Sequence, residues 1–302
     1  RLIILYKLYS LERFLIGSTL SGVMLEHVLI AGRGPVASFL VDQYREMGVT
    51  PIIAAVQGDN WWDSNFNLEI AWLESQRLND LVREIVNVAS KYKKQGIELI
   101  VDPVVSPHFA ENPMLPFQLT GRGIRFAGPS HYALALASDK IEMRQIAQEA
   151  GVPLMPGAYA PTLDNAINFA GEVGYPIMLK EATNGGGRGT RKTDNEGELR
   201  DAFSSFMSKS NASNDYGSTL ESLVARRANG IPTNRLFVEK ALQDRRHIEV
   251  QFLVDGMGNI YCFGTRDCSE QRNFQKMIEL APADISRELE QRLIEDGVKI
   301  IN

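Results

Sequence analysis

The stretch HVLIAGRGPVASFLVDQYREMGVTPIIAAV, His27 to Val56, decides the fold class of the first third of the chain. Val28 to Ala31 is β-rich, a glycine turn and Pro35 follow, and a helical segment runs up to Gly48 before a second apolar run, PIIAAV. Proline suits the first helical turn, where its missing N–H is not needed, and glycine after the last turn stops the helix. Strand, turn, helix, strand predicts one right-handed βαβ unit of a parallel sheet. Gly32-Arg33-Gly34 is only a partial nucleotide fingerprint. Tight strand-to-helix turns use glycine for packing alone, and packing is the preferred reading.

Outward from this unit, a second helix is expected over Leu78 to Lys94, then a strand in IELIVD and a short one in GIRFAGP, so the N-terminal third is α/β. A further helix starts in SDKIEMRQIAQEAGVPLMPG, with Ser138 as the expected cap, Gly151 as the stop and Pro153 enforcing the exit. Lys140 is the odd residue there, because a cation at a helix N-terminus opposes the dipole. A surface lysine tolerates this; a lysine aimed at an anion exploits it. The first twenty residues are apolar but interrupted by Lys7, Glu12 and Arg13, too broken to span a bilayer. Leu5, Leu8, Leu11 and Leu15 fall on one helical stripe, which fits docking on the domain or on a partner. The chain starts at Arg1, which leads us to expect a piece of a longer polypeptide.

With 302 residues, 44% hydrophobic and 23% charged, the composition is that of a globular chain of two or three domains. A formal charge of -5 provides no basic field for a phosphate backbone, so nucleic acid is a poor partner. Cys262 and Cys268 have no second pair to complete a zinc set and read as two reduced thiols. The sequon at Asn211 is discounted.

The chemistry concentrates later in the chain. GYPIMLKEATNGGGRGTRKTDN reads as a strand feeding a loop that holds Gly185, Gly186, Gly187 and Gly189 and is flanked by Arg188, Arg191 and Lys192. Backbone N–H groups without side chains in the way can approach phosphate oxygens, and the cations offset their charge. A hairpin tip with solvated arginines is the bland alternative, but it leaves Lys180, on the strand entering the loop, unexplained. Ser204 to Asn234 is Ser/Asn-rich and reads as a polar insertion. HIEVQF then alternates strictly, placing His247, Glu249 and Gln251 on one face and Ile248, Val250 and Phe252 on the other. DGMGN makes the turn and IYCFG returns. The polar face leads into RDCSEQRNFQK, Arg266 to Lys276.

Taken together, Lys140, LKEATNGGGRG, FVEKAL, RHIEVQ and RDCSEQRNFQK followed by ELAPA resemble the biotin carboxylase family of the ATP-grasp superfamily, from about Val28 onward. After the N-terminal helical segment 1–25 expected from the leucine stripe, the resemblance implies an α/β chain: a Rossmann-like (pre-ATP-grasp) parallel-sheet domain over 26–135, and a partial ATP-grasp domain over 136–302 with a glycine-loop lid at about 156–240. By similarity, Lys140 and Lys180 hold the phosphates of ATP, with Gly186 and Gly187 on the lid. Glu239, Lys240 and Leu242 lie along the adenine pocket, and His247, Gln271 and the position of Phe274 face the nucleotide. Lys276 meets bicarbonate and the γ-phosphate, with Glu249 ordering that corner. The implied reaction is ATP-dependent carboxylation of biotin through carboxyphosphate. Mg would be held by ligands expected beyond Asn302, so no metal residue is named within the chain. Implied partners are bicarbonate, biotin on a carrier domain and a carboxyltransferase component. The implied setting is the cytoplasm, with mitochondria as an alternative, and homo-oligomerisation is left open.

The chain departs from the family pattern in several places: Gly32 and Pro35 replace an asparagine and a glutamate, DPVVSPHFAEN replaces a His-Pro-Gly-Tyr-Gly type loop, Phe274 replaces a histidine, and the insertion before FVEK is longer than the usual connection. The largest departure is at the end, where the resemblance leads us to expect a strand of acidic metal ligands and an N-x-R segment after Asn302. Two other readings stay open. One is a ligase closer to carbamoyl-phosphate synthase, against which the RDCS segment argues; the other is a scaffold that kept the fold without catalysis.

Overall fold

A computed structural model describes residues 26–32, 35–56, 69–74, 78–103, 107–137, 139–182, 189–212 and 235–302. The leucine stripe expected before residue 26, Gly185 to Arg188, and residues 213–234 of the expected insertion lie outside these. The chain divides into two compact units, Arg1–Ala135 and Leu136–Asn302.

The first unit is built on a parallel sheet of β1 (His27–Ala31), β2 (Thr50–Val56), β3 (Glu69–Leu73), β4 (Leu99–Asp102) and β5 (Arg125–Phe126), in the order β3-β2-β1-β4-β5. Successive residues of a strand face opposite sides, and here both sides are apolar, as a sheet covered on both faces requires. Val28 and Ile30 pack with Ala37, Leu40, Val41 and Tyr44 of α1 (Pro35–Glu46). Leu29 and Ala31 pack with Val82, Ile85, Val86 and Ala89 of α2 (Leu78–Lys94). Each helix presents residues three and four apart, the spacing of one helical face. Asp102, buried at the end of β4, is satisfied by the Tyr44 hydroxyl, which donates to Oδ2 at 2.7 Å. Three short helices follow, α3 (Pro107–Ala110), α4 (Met114–Thr120) and α5 (His131–Ala137).

The second unit opens with α6 (Lys140–Glu149). Its N-cap is Asp139 and not the expected Ser138: the Asp139 carboxylate accepts from the N–H groups of Ile141 and Glu142. A four-stranded antiparallel sheet comes next, β6 (Gly157–Tyr159), β7 (Ile177–Glu181), β8 (Thr190–Thr193) and β9 (Leu236–Lys240), in the order β6-β9-β7-β8. α7 (Leu163–Val173) and α8 (Glu196–Ala212) bury Ala166, Phe169, Leu199, Phe203 and Phe206 against Ile177, Leu179 and Val238. The expected polar insertion therefore begins too early: Ser204 to Ala212 continue a helix, and Phe206 anchors it. An aromatic at helical spacing from Phe203 outweighs a run of serines.

Gly157 shows how tightly this sheet is built. A Cβ there would lie 2.7 Å from the Phe237 ring, 3.0 Å from the Val238 carbonyl oxygen and 3.2 Å from the Glu239 Cβ. Gly157→Ala is expected to lower stability by about 1–3 kcal/mol through overpacking, read from denaturant unfolding. An unchanged midpoint would show that β9 yields without cost.

β10 (Ile248–Val254) and β11 (Ile260–Asp267) form an antiparallel hairpin, and α9 (Arg287–Ile301) packs on one of its faces. Ile248, Val250 and Phe252 line the groove shared with Leu289, Leu293 and Gly297 of α9, which leaves Glu249 on the opposite face. A small hairpin follows, β12 (Gln271–Arg272) and β13 (Gln275–Lys276). Among the described residues no helix is long and apolar enough to cross a membrane.

Candidate functional site

The polar face of β10 is assembled by a register shift. From the turn outward Val254 pairs with Ile260, Leu253 with Tyr261 and Phe252 with Cys262, but beyond a bulge Val250 pairs with Thr265 and Glu249 with Arg266. Gly264, at φ 87, supplies the left-handed backbone near the bulge. Without the extra residue Glu249 would face Thr265. With it, Thr265 is buried near Glu290 of α9, and Arg266 comes to face Glu249 across the ladder.

Glu249 is the centre of this face. Arg266 forms an ion pair with its Oε1, and Lys276 donates to Oε2. Arg266 also reaches Glu279 at 3.4 Å, so the guanidinium bridges two carboxylates. Burial alone would push the Glu249 carboxyl up; the Lys276 hydrogen bond and the Arg266 charge outweigh it and hold the group below the usual range. His247 Nδ1 lies 2.9 Å from Gln271 Nε2, which also donates to the Cys268 carbonyl oxygen at 2.8 Å. The other ring nitrogen, His247 Nε2, lies 3.8 Å from Glu249 Oε2. At the root of the same segment, the Ser269 hydroxyl and Arg246 hold Asp267 down to about 2.

Gln271 and Lys276 face each other across the β12–β13 ladder, so one small hairpin brings both to β10. Its tip, Asn273 at φ 50 and Phe274 at φ 62, has the two left-handed residues of a tight primed turn. Asparagine tolerates that region; a bulky aromatic there carries strain. The Phe274 ring is 39% exposed, so core burial does not explain its place.

A second group gathers where α6 meets the sheet. Lys140 Nζ donates to the carbonyl oxygens of Glu181 and Ala182 at 3.1 and 3.3 Å. Lys180 of β7 is paired with Glu239 of β9. Burial first, and then the positive charge of Lys180, push the Lys140 ammonium below its usual range. Like charges gathered in a part-buried corner repel, and a bound anion would relieve that repulsion.

The residues expected from the sequence thus fall into two sets: Lys140, Lys180 and Glu239 on one side, and His247, Glu249, Gln271 and Lys276 on the other. Lys240 is occupied differently, donating to the Gly174 and Tyr175 carbonyl oxygens, each at 3.0 Å. Leu242 is exposed at 46%. Gly186 and Gly187 lie outside the described residues. Sequence reasoning did not single out Arg266, which stood in the quoted motif, or Arg235, which stood at the edge of a segment read as insertion.

Residues 139–302, more than half of the chain, match the family described as carbamoyl-phosphate synthase L chain, ATP binding domain. The chain belongs to this family. Its relatives include the propionyl-CoA carboxylase alpha chain of Ruegeria pomeroyi, 31% identical over 286 residues that cover 89% of this chain and 37% of that one. Among solved structures, the biotin carboxylase–β,γ-ATP complex of Campylobacter jejuni has 30% identity and a TM-score of 0.76, covering 92% of this chain and 59% of that one. The biotin carboxylase domain of Hydrogenobacter thermophilus 2-oxoglutarate carboxylase, solved as a dimer with MgADP, ADP and bicarbonate, has 29% identity and a TM-score of 0.74 over the same shares. Within the family, the resemblance to biotin carboxylases is carried by sequence, at 32% identity to the biotin carboxylase of Pseudomonas aeruginosa over 86% of this chain and 55% of that one, and by fold. The chain spans about a third of the Ruegeria relative and under two thirds of either solved chain.

Proposed function

We propose that the second unit binds ATP and, in a biotin-dependent carboxylase, carboxylates biotin with bicarbonate through carboxyphosphate. The observation that carries the nucleotide part is the corner where α6 meets β7: the Lys140 ammonium donates to the carbonyl oxygens of Glu181 and Ala182, the two residues that follow Lys180. Lysines meet phosphate as point charges, and a phosphate chain would offset the repulsion between Lys140 and Lys180. Glu239 holds Lys180 in place meanwhile.

On the β10 face, Lys276 is the group for an incoming bicarbonate, and Glu249 holds its ammonium by an ion pair. Gln271 and His247 provide a donor and an imidazole next to it. Two anions meet in such a reaction, and fixed cations counter their repulsion. Biotin on a carrier domain and a carboxyltransferase component are the partners this reading calls for. A relative was solved with bicarbonate, which supports the choice of nucleophile.

The ion that phosphoryl transfer uses finds no fit here. Hard divalent cations are held by carboxylate oxygens, yet among the described residues there is no cluster of three or more His, Cys, Asp or Glu. Glu249 is already engaged by two cations. A second reading, a nucleotide-binding unit without turnover, is favoured by Phe274, an aromatic at φ 62 at the β12–β13 tip where the family pattern has a histidine. Calorimetric titration with ATP and with adenosine, followed by fixation of labelled bicarbonate into free biotin, tests both. Tighter binding of ATP than of adenosine is expected; equal affinities would overturn the nucleotide assignment. ATP binding without bicarbonate fixation would favour the second reading.

A further inference from the structure

Arg235 closes a ring of contacts around Lys140. The Lys140 N–H donates to the Ala182 carbonyl oxygen at 2.9 Å, and the Ala182 N–H donates to the Arg235 carbonyl oxygen at 2.9 Å. The Arg235 side chain then turns back, its Nη1 lying 3.1 Å from Asp139 Oδ2 and 2.8 Å from Glu142 Oε1. Asp139 is the residue before Lys140 and caps its helix through Oδ1, at 2.9 Å from the Ile141 N–H. Its side chain is fully buried, and that of Arg235 is 8% exposed. The guanidinium carbon sits 5.4 Å from the centroid of the Tyr159 ring, which seats it from the side of β6.

A buried carboxylate needs a fixed cation, and a cation seated on an aromatic ring has little freedom to move. One end of the ring sets the first turn of α6, from which Lys140 projects. The other end sets the exit of β7, which carries Lys180 and whose Glu181 and Ala182 carbonyls receive the Lys140 ammonium. We propose that Arg235 is a positioning residue: through Asp139 and Ala182 it locks the start of α6 to the end of β7 and so fixes the spacing between Lys140 and Lys180. The proposal rests on the reading of those lysines as a phosphate-binding pair. It adds that their spacing is imposed by a residue that touches no phosphate.

Two readouts test it on the full chain. The first is acylation of Lys140 by a limiting amine reagent, followed by peptide mass spectrometry with Lys240 as the internal reference. The second is affinity for ATP against adenosine. Arg235→Met is expected to raise Lys140 acylation several-fold and to weaken ATP by about tenfold while leaving adenosine unchanged. Because one nitrogen makes both carboxylate contacts, Arg235→Lys should restore most of both. Should Arg235→Met fail to fold, the double variant Asp139→Asn/Arg235→Met removes the buried charge as well and serves in its place. Unchanged acylation of Lys140, or parallel weakening of ATP and adenosine, would overturn the proposal. If the parent chain does not prefer ATP to adenosine, the nucleotide reading falls, and acylation alone decides whether the ring holds Lys140.

Discussion

Lys180→Ala is expected to weaken ATP binding by about 1.5–3 kcal/mol, the loss of a charge-assisted contact, and to leave adenosine binding unchanged. The Lys180 side chain is only 23% exposed, so its charge is incompletely screened by water. Its removal acts twice. It takes a cation from the corner, and it strands the Glu239 carboxylate, 21% exposed, next to where phosphates would lie. Lys180→Ala/Glu239→Gln separates the two contributions: recovery of part of the lost affinity would assign that part to the stranded carboxylate. Lys140 responds as well, because one cause of its lowered pKa disappears with Lys180. An ATP affinity equal to that of the parent, with the fold intact, would overturn the assignment.

Glu249→Gln keeps the shape of the β10 face and removes its anion. Arg266 retains Glu279, whereas Lys276 loses the carboxylate it donates to. At 22% side-chain exposure the group lies between a surface pair and a buried one, and a loss of about 1–3 kcal/mol in unfolding free energy is expected. The pH dependence has a definite sign. The carboxyl is held below its ordinary value of 4.5, so it contributes stability that is present above that value and lost as pH falls through the folded-state value. Glu249→Gln should therefore flatten the acid limb of stability against pH. Denaturant midpoints measured across that limb check this, and an acid limb as steep as the parent's would mean that the two ion pairs add nothing in solution.

Local pattern made the parallel sheet legible: β1, α1, β2 and α2 follow from apolar runs, a proline and two glycines. β3 escaped notice because EIAWL is five residues long and follows a polar, tryptophan-containing stretch. The cap of α6 was misplaced by one residue for an instructive reason. Ser138 and Asp139 both have cap chemistry, and what marks Asp139 out is Arg235, ninety-six positions away, which takes its second oxygen. The candidate site divides in the same way. Motifs pointed to Lys140, Lys180, Glu249 and Lys276, but the partner of Glu249 depended on a bulge: counting back from the turn puts Thr265 opposite it, and one extra residue near Gly264 puts Arg266 there. Long-range charge pairs and register shifts leave no periodic trace in a sequence.

The two thiols give this molecule a built-in gauge of its own opening. Cys262 is exposed on β11, while Cys268 is fully enclosed; burial first, and then the neighbouring Glu249 carboxylate, push its thiol up, away from the reactive thiolate. An alkylating reagent therefore marks Cys262 in the folded chain and reaches Cys268 only when the segment between β11 and β12 lifts away. The ratio of the two labels reads out how often the His247–Gln271 corner comes apart, with no tag or dye added to the protein.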